Sequence, residues 1–156
     1  MKNNECCEVV IVGAAHTDLQ LYPVGADVLD TASYSVKQMV LTVGGDALNE
    51  ATVITRLGHK VRLVSCVGDD VIGSLVLEHC RKNNIGTEYI KVDSSKVTSI
   101  NVGLIREDGE RTFINNKSGS IWTFCPEDVE RESVSHGRIL SFASIFNNPL
   151  LDESLM

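Results

Sequence analysis

The stretch Gly44-Gly45-Asp46-Ala47-Leu48-Asn49 joins the end of an apolar run to the start of a predicted helix. Asn49 falls in the first turn of that helix, directly after the glycine pair. Glycine allows a ligand to approach the backbone closely, and the first turn of a helix offers unpaired N–H groups to ligand oxygen atoms. The stretch therefore predicts a site for a polar, hydroxylated or anionic small molecule.

The residues that follow alternate between helix and strand. A helix is predicted over about 46–57, a buried strand over 61–67, and a second helix that Asp69 or Asp70 caps and residues 83–86 end. Helical spacing places Ala47, Ala51, Ile54 and Leu57 on the apolar face of the first helix, and Ile72, Leu75, Val76 and Cys80 on that of the second.

Strands are also predicted before and after this alternation. Residues 8–15 are typical of a buried strand that ends in a turn, and residues 97–105 alternate ahead of the hairpin signal Asp108-Gly109. Pro126 opens a short helix, and residues 138–146 predict another buried strand, with no helix to cover it. Met39, Leu41 and Val43 share one face of an alternating piece.

This order predicts an α/β fold with a mainly parallel sheet, to which the hairpin adds a separate small β-sheet. The sheet is expected to be incomplete at the C-terminus, because a doubly wound sheet normally continues until both faces and its binding edge are built.

The composition limits the classes of protein to consider. The chain has 156 residues, 43% of them apolar and 22% charged, as in one ordinary globular domain. Its net charge of −7 argues against a general nucleic-acid binder. No signal peptide and no run of about 20 apolar residues is present, so neither secretion nor a membrane partner is expected.

The five cysteines show no spacing typical of zinc ligands, so no metal site is predicted. Cys66 and Cys80 lie in apolar patterns and are interpreted as small buried side chains. The pair Cys6-Cys7 is interpreted as a frayed terminus beside a strand rather than a redox site. A reducing cytoplasm is the simplest setting for these cysteines.

Several motifs, taken together, resemble the N-terminal half of the ribokinase-like (PfkB) carbohydrate kinases. They cover the chain from about Val9 to Leu151 and are, in chain order, Val12-Gly13-Ala14-Ala15-His16-Thr17-Asp18, Gly44-Gly45, Asn49, Ala51, Leu57-Gly58, Gly68-Asp69-Asp70 and Asp108-Gly109-Glu110-Arg111-Thr112-Phe113.

The resemblance implies a ribokinase-like, Rossmann-type three-layer core in residues 1–156, with lid segments at about 19–43 and 97–117. The implied activity of the parent protein is ATP-dependent phosphorylation of a sugar or sugar-like hydroxyl, with ATP and Mg²⁺ as its cofactors. Sugars, sugar acids and nucleosides all remain open as substrates.

The resemblance also implies substrate-binding roles for individual residues. Asp18 would accept hydrogen bonds from substrate hydroxyls, and Asn49 would both donate and accept. Asp46 stands where ribose-type relatives often have a lysine, and it is interpreted as the cap of the following helix. The complete set of implied binding residues is His16, Asp18, Gly44, Gly45, Asn49, Asn116 and Lys117.

No catalytic residue is expected in this chain. The family places its catalytic aspartate in a Gly-Ala-Gly-Asp-like motif near the C-terminus, and the sequence holds no such motif. We therefore expect the chain alone to be inactive, to bind neither ATP nor metal, and to be a truncation product or one half of a split gene.

Two other classes of protein compete with this interpretation. A dinucleotide-binding Rossmann enzyme fits the start Val10-Ile11-Val12-Gly13-Ala14, but the further glycines of its fingerprint are missing. A non-catalytic module for sugar binding or dimerisation stays open, with a homodimer formed through the lid or an exposed sheet.

Overall fold

The computed structural model describes residues 7–155, which form two four-stranded sheets and four α-helices. The strands are β1 (Cys7–Val12), β2 (His16–Tyr22), β3 (Gln38–Gly44), β4 (Val61–Gly68), β5 (Gly86–Asp93), β6 (Ile100–Ile105), β7 (Arg111–Asn115) and β8 (Gly137–Phe142). The helices are α1 (Asp46–Arg56), α2 (Val71–Lys82), α3 (Arg131–Ser135) and α4 (Pro149–Leu155).

The first sheet is parallel, with the strand order β5-β4-β1-β8. Its central strands are apolar on both faces because both faces are covered. Val9 and Ile11 pack with α1 and α2, whereas Val10 and Val12 pack with Phe124 and with Leu151 of α4. The sheet is therefore the middle of three layers, as the α/β prediction required.

The second sheet is mixed, with the order β3-β2-β6-β7. β2 pairs antiparallel with β3 and parallel with β6, and the hairpin of β6 and β7 continues the sheet. The register sets Asp18 beside Asn101 and Asn101 beside Asn115. Because paired residues point to the same face, these polar side chains share one face of the sheet.

Most of the predicted elements are confirmed. α1, β4, α2 and the hairpin around Gly109 lie where the patterns placed them, and Gly109 has a φ of 88°. Asp70, not Asp69, caps α2, since its Oδ1 accepts from Gly73 N at 2.7 Å. Cys66 and Cys80 are buried, as predicted. The interpretation of a frayed terminus is wrong for Cys7, which is the buried first residue of β1, and Cys6 lies outside the described residues.

The predicted burial of residues 138–146 is wrong. β8 spans only Gly137–Phe142, and Ile139 is 59% exposed. β8 lies at the edge of its sheet and pairs only with β1 among the described strands, so an apolar run does not imply burial here. Leu57, predicted on the buried face of α1, is 72% exposed because the helix ends at Arg56.

A short helix, α4, does follow this strand, but its buried Leu151 packs with Val10 and Val12 of β1 and not with β8. The pattern further missed β5, the outer strand next to β4. None of the helices between Cys7 and Leu155 is long and apolar enough to cross a membrane.

Asp128 anchors the loop after the hairpin to the parallel sheet. Its carboxylate is almost fully buried and accepts from Lys91 Nζ at 2.5 Å and from Lys96 Nζ at 2.7 Å. Cys125 N donates to the same carboxylate at 3.2 Å. Burial opposes ionisation, but these hydrogen bonds outweigh it and lower the pKa of Asp128 to about 2.

Replacing Asp128 should therefore make the free energy of unfolding less dependent on pH in the acidic range. Because the folded-state pKa lies below the unfolded one, the contribution is present above about pH 4 and is lost as the pH falls towards 2. We expect Asp128→Asn to lower the free energy of unfolding by about 2 kcal/mol at pH 7, and by much less near pH 2. Urea unfolding across this range measures it, with the exposed Asp69→Asn as control. An equal loss at both pH values would contradict the assignment.

Candidate functional site

A cleft of about 520 Å³ lies between the mixed sheet and the carboxyl ends of β1 and β8. The carboxyl edge of a parallel sheet is where ligands bind in open α/β folds. The lining is Ala14, His16, Asp18, Gln20, Gly45, Asp46, Asn49, Asn101, Arg111, Phe113, Asn115, Ile121, Trp122, Ser144 and Asn147.

Asp18, His16 and Asn101 form a hydrogen-bonded group in the cleft. Asn101 Nδ2 lies 2.8 Å from His16 Nε2 and 3.2 Å from Asp18 Oδ1, and His16 Nε2 lies 3.3 Å from the same oxygen. The contact with His16, more than that with Asn101, holds the pKa of Asp18 below its ordinary value against the opposing effect of burial. Asp18 is therefore a fixed, ionised acceptor at neutral pH.

His16 carries an unsatisfied polar atom. The residue is 8% exposed, and its Nδ1 has no hydrogen-bond partner among the described residues. Buried polar atoms are normally paired, so this nitrogen marks a place where a ligand group or a water molecule would be bound.

Gly44 and Gly45 bring the backbone against this group. A Cβ at Gly44 would overlap with Asp18 Oδ2, and one at Gly45 would overlap with Ala14 O and lie 3.0 Å from His16 Nδ1. Gly45 also has a φ of 103°, which other residues rarely adopt. Gly45 therefore requires glycine, whereas a side chain at Gly44 would displace the Asp18 carboxylate.

The first turn of α1 contributes Asp46 and Asn49 to the cleft. The interpretation of Asp46 as the helix cap is wrong, because Gly45 occupies the N-cap position and Asp46 is the first helical residue. Its carboxylate is exposed beside the cleft, where it interacts favourably with the positive end of the α1 helix dipole and repels an anionic ligand.

The seven binding residues that the resemblance implies fall into two groups by their position relative to the cleft. His16, Asp18, Gly45 and Asn49 line the cleft, and Gly44 supports it from behind Asp18. Neither Asn116 nor Lys117 lines it. Asn116 Oδ1 accepts from Ile100 N at 3.0 Å and so braces the start of β6, and Lys117 is exposed.

Sequence reasoning missed several cleft residues. Asn101 and Asn115 could have been found, because the alternation that puts Ile100 and Val102 on one face puts Asn101 on the other. Ser144 gave no such signal. It follows β8 and turns back with a φ of 64°, so that its Oγ accepts from Ala14 N at 3.3 Å.

The arrangement suits recognition of hydroxyl groups. Amide side chains can donate and accept at once, and the lining has five of them, which are Gln20, Asn49, Asn101, Asn115 and Asn147. Phe113 and Trp122 add apolar surface that can cover the carbon–hydrogen faces of a ligand.

Comparison with known proteins gives the family. The model of the pfkB family carbohydrate kinases matches residues 7–156, so the chain belongs to that family. The chain is 26% identical over 134 residues to a 5-dehydro-2-deoxygluconokinase of Photobacterium profundum, covering 85% of this chain and 39% of the relative. It is 28% identical over 103 residues to a probable fructokinase-2 of Arabidopsis thaliana, covering 65% and 31% respectively.

Solved structures agree with this assignment of the fold. An uncharacterised sugar kinase from Pyrococcus horikoshii matches with a TM-score of 0.73 and 26% identity, covering 86% of this chain and 44% of that one. A ribokinase from Arabidopsis thaliana, solved with ribose and ATP, matches with a TM-score of 0.73 and 20% identity, covering 88% and 45%. The chain thus spans less than half the length of each of these relatives.

The hydrogen bonds around Asp18 predict an order of effects on its pKa. We expect both His16→Ala and Asn101→Ala to raise the pKa of Asp18 towards its ordinary value, with the larger rise in His16→Ala, since the contact with His16 is the stronger influence. Titration of the carboxyl ¹³C signal by NMR measures this, with circular dichroism as the check on folding. A larger effect of Asn101→Ala would contradict the assignment.

Proposed function

We propose that this chain supplies the substrate-binding half and the lid of an ATP-dependent kinase that phosphorylates a hydroxyl of a sugar or sugar-like molecule. The observation that carries the proposal is the group of His16, Asp18 and Asn101, held in an amide-rich cleft within a member of this family. The names of the relatives, which include fructokinases and a ribokinase, support a carbohydrate as the substrate.

Each cleft residue has a role in this proposal. Asp18 accepts hydrogen bonds from two neighbouring hydroxyls, and Asn101 holds the carboxylate in place while its own amide faces the cleft. The backbone at Gly45 allows the ligand to come close to the start of α1. His16 and Asn49 supply further polar contacts, whereas Asn116 and Lys117 lie outside the cleft lining and would act only through a lid rearrangement.

The mixed sheet serves as the lid in this proposal, with residues 19–43 and 97–117 as its segments. Its polar face covers the cleft, so that a bound sugar is shielded from water on that side. Exclusion of water strengthens hydrogen bonds to the substrate and prevents loss of the phosphoryl group to water.

ATP and Mg²⁺ belong to the reaction of the whole parent protein in this proposal; a related sugar kinase from Pyrococcus horikoshii was solved with ATP. The described residues 7–155 contain no group of three or more His, Cys, Asp or Glu that could hold a metal ion. In this proposal the chain supplies only the sugar side of the reaction, because the cleft residues that it contributes are suited to recognise hydroxyls. A cytoplasmic setting is part of the proposal, since Cys66 and Cys80 are buried as thiols.

A second candidate function is a non-catalytic module that binds sugar or dimerises. An apolar groove of about 410 Å³ beside the edge strand β8 favours this function. The apolar residues that line the groove are Val9, Ile54, Leu57 and Ile139. Exposed apolar surface at an unpaired strand edge promotes association. The lid is the other proposed contact, because Met39 and Ile114 are 62% and 52% exposed on the face opposite the cleft.

The sugar-site proposal predicts that Asp18→Asn weakens polyol binding at least about tenfold, because the ionised acceptor is lost. Calorimetric titration of the full chain with a panel of sugars and sugar acids measures this. Asp30→Asn is the matched control, an exposed carboxylate outside the cleft. Unchanged affinity in Asp18→Asn would show that Asp18 is not part of the site. Release of ADP by the unmodified chain would show that the chain is catalytically active, and would overturn the proposal that it supplies only the sugar-binding side.

The open edge of β8 predicts self-association that depends on protein concentration. We expect Ile139→Lys to shift the chain towards the monomer, because it places a charge on exposed apolar surface. Analytical ultracentrifugation measures the shift. Val71→Lys is the control, since Val71 is an apolar residue of α2 that is 76% exposed. A wild-type chain that stays monomeric at all concentrations and unfolds in one cooperative step would count against the prediction.

A further inference from the structure

The cleft is charged differently at its two ends. Asp18 and Asp46 lie at the inner end, next to the start of α1. Arg111 lies at the outer end, near the tip of the β6–β7 hairpin, and is the only lysine or arginine among the described residues that line the cleft.

The register of the lid gives the separation of the two ends. Asp18, Asn101 and Asn115 lie side by side across β2, β6 and β7. Arg111 is four residues from Asn115 on β7 and therefore on the same face, about 13 Å away along the strand at 3.3 Å per residue. Asp18 lies two strands across from Asn115, which makes the backbone separation of Asp18 and Arg111 about 16 Å. Both residues line the same cleft, so an elongated ligand can contact both.

The surface between the two ends presents the Phe113 ring beside the Gln20 amide. Phe113 lies between Arg111 and Asn115 on the same face, opposite Gly103. A Cβ at Gly103 would lie 3.3 Å from the Phe113 ring, so the glycine allows the ring to lie against the sheet. The Phe113 ring thus lies between Asp18 and Arg111 in the cleft lining.

The guanidinium of Arg111 is not used by the fold. It makes no hydrogen bond or ion pair with any residue that the structure describes, whereas its neighbours in the hairpin are paired. Arg106 binds Asp108 at 2.9 Å, and Lys37 lies 3.5 Å from Glu107. These pairs engage the carboxylates of Glu107 and Asp108, and Arg111 lines the cleft, where it can meet an anion.

We propose that the substrate is an anionic sugar whose carboxylate or phosphate is bound by Arg111 while hydroxyls at its other end meet Asp18 and Asn101. This inference rests on the proposed sugar site. The planar guanidinium matches carboxylate and phosphate oxygens with two parallel hydrogen bonds. Asp18 and Asp46 repel an anion from the inner end, so the charges impose a single orientation on the substrate.

Calorimetric titration of the full chain at low salt tests this with matched ligands. Gluconate is compared with glucitol and glucose 6-phosphate with glucose, so that each pair isolates the anion and the two pairs distinguish carboxylate from phosphate. We expect at least one anion to bind about tenfold more tightly than its neutral partner. Arg111→Ala should abolish this preference and leave the affinity for the neutral partner unchanged, and Arg111→Lys should retain only part of it.

Arg106→Ala is the matched control, since it removes an exposed arginine of the same hairpin that does not line the cleft. The exposed position of Arg111 at the start of β7 means that its replacement should leave the melting temperature unchanged, which calorimetry checks.

Three results would overturn the inference, and they separate it from the proposed function. Equal or tighter binding of both neutral ligands rejects the anion and keeps the sugar site. A preference for the anion that survives Arg111→Ala rejects Arg111 as the binding residue. Binding of none of the four ligands rejects the inference together with the sugar site on which it rests.

Discussion

The close approach of Gly44 and Gly45 to β2 is the constraint on which the cleft depends. β3 ends and α1 begins at this pair, so it joins the mixed sheet to the helix that covers the parallel sheet. Without side chains at these two positions, the backbone lies directly against His16 and the Asp18 carboxylate. A larger residue at Gly45 would overlap with the Ala14 carbonyl, and one at Gly44 would displace the Asp18 carboxylate from its place in the cleft.

The second requirement is a carboxylate that stays ionised in a half-buried position. Burial alone would raise the pKa of Asp18, but His16 and Asn101 more than offset it. The three residues come from two strands that pair in parallel, β2 and β6, which are far apart in the sequence. Asp128 repeats this principle at the other side of the fold, where two lysines hold a buried carboxylate and fix the loop after the hairpin. Fixed carboxylates thus position both the cleft and the segment that carries Trp122.

The sequence predicted the structure best where the identity of a residue follows from a single local requirement, such as burial or a turn. The apolar run of β4, the turn at Asp108-Gly109 and the glycine pair led to the correct elements. The four predicted residues that line the cleft, His16, Asp18, Gly45 and Asn49, were implied by the resemblance to the PfkB kinases. β5 was missed because its charged residues interrupt the apolar pattern that marks a strand. The fold accepts these charges because each has a partner, with Glu88 bound to Arg62 and Lys91 bound to Asp128. The exposure of β8 and the place of Ser144 could not be predicted, since both depend on which strands lie side by side. That is a tertiary property that periodicity does not encode.

The central claim is that the cleft between the lid and α1 binds the polyol, and NMR mapping on the isotopically labelled full chain tests it most directly. Titration with a polyol that binds should shift the side-chain amide signals of Asn49, Asn101 and Asn115, together with the backbone amides of Gly44 and Gly45. The amides of α2 and the exposed face of β8 should stay unchanged. Shifts that cluster on α2 or β8, with the cleft amides unaffected, would contradict the account.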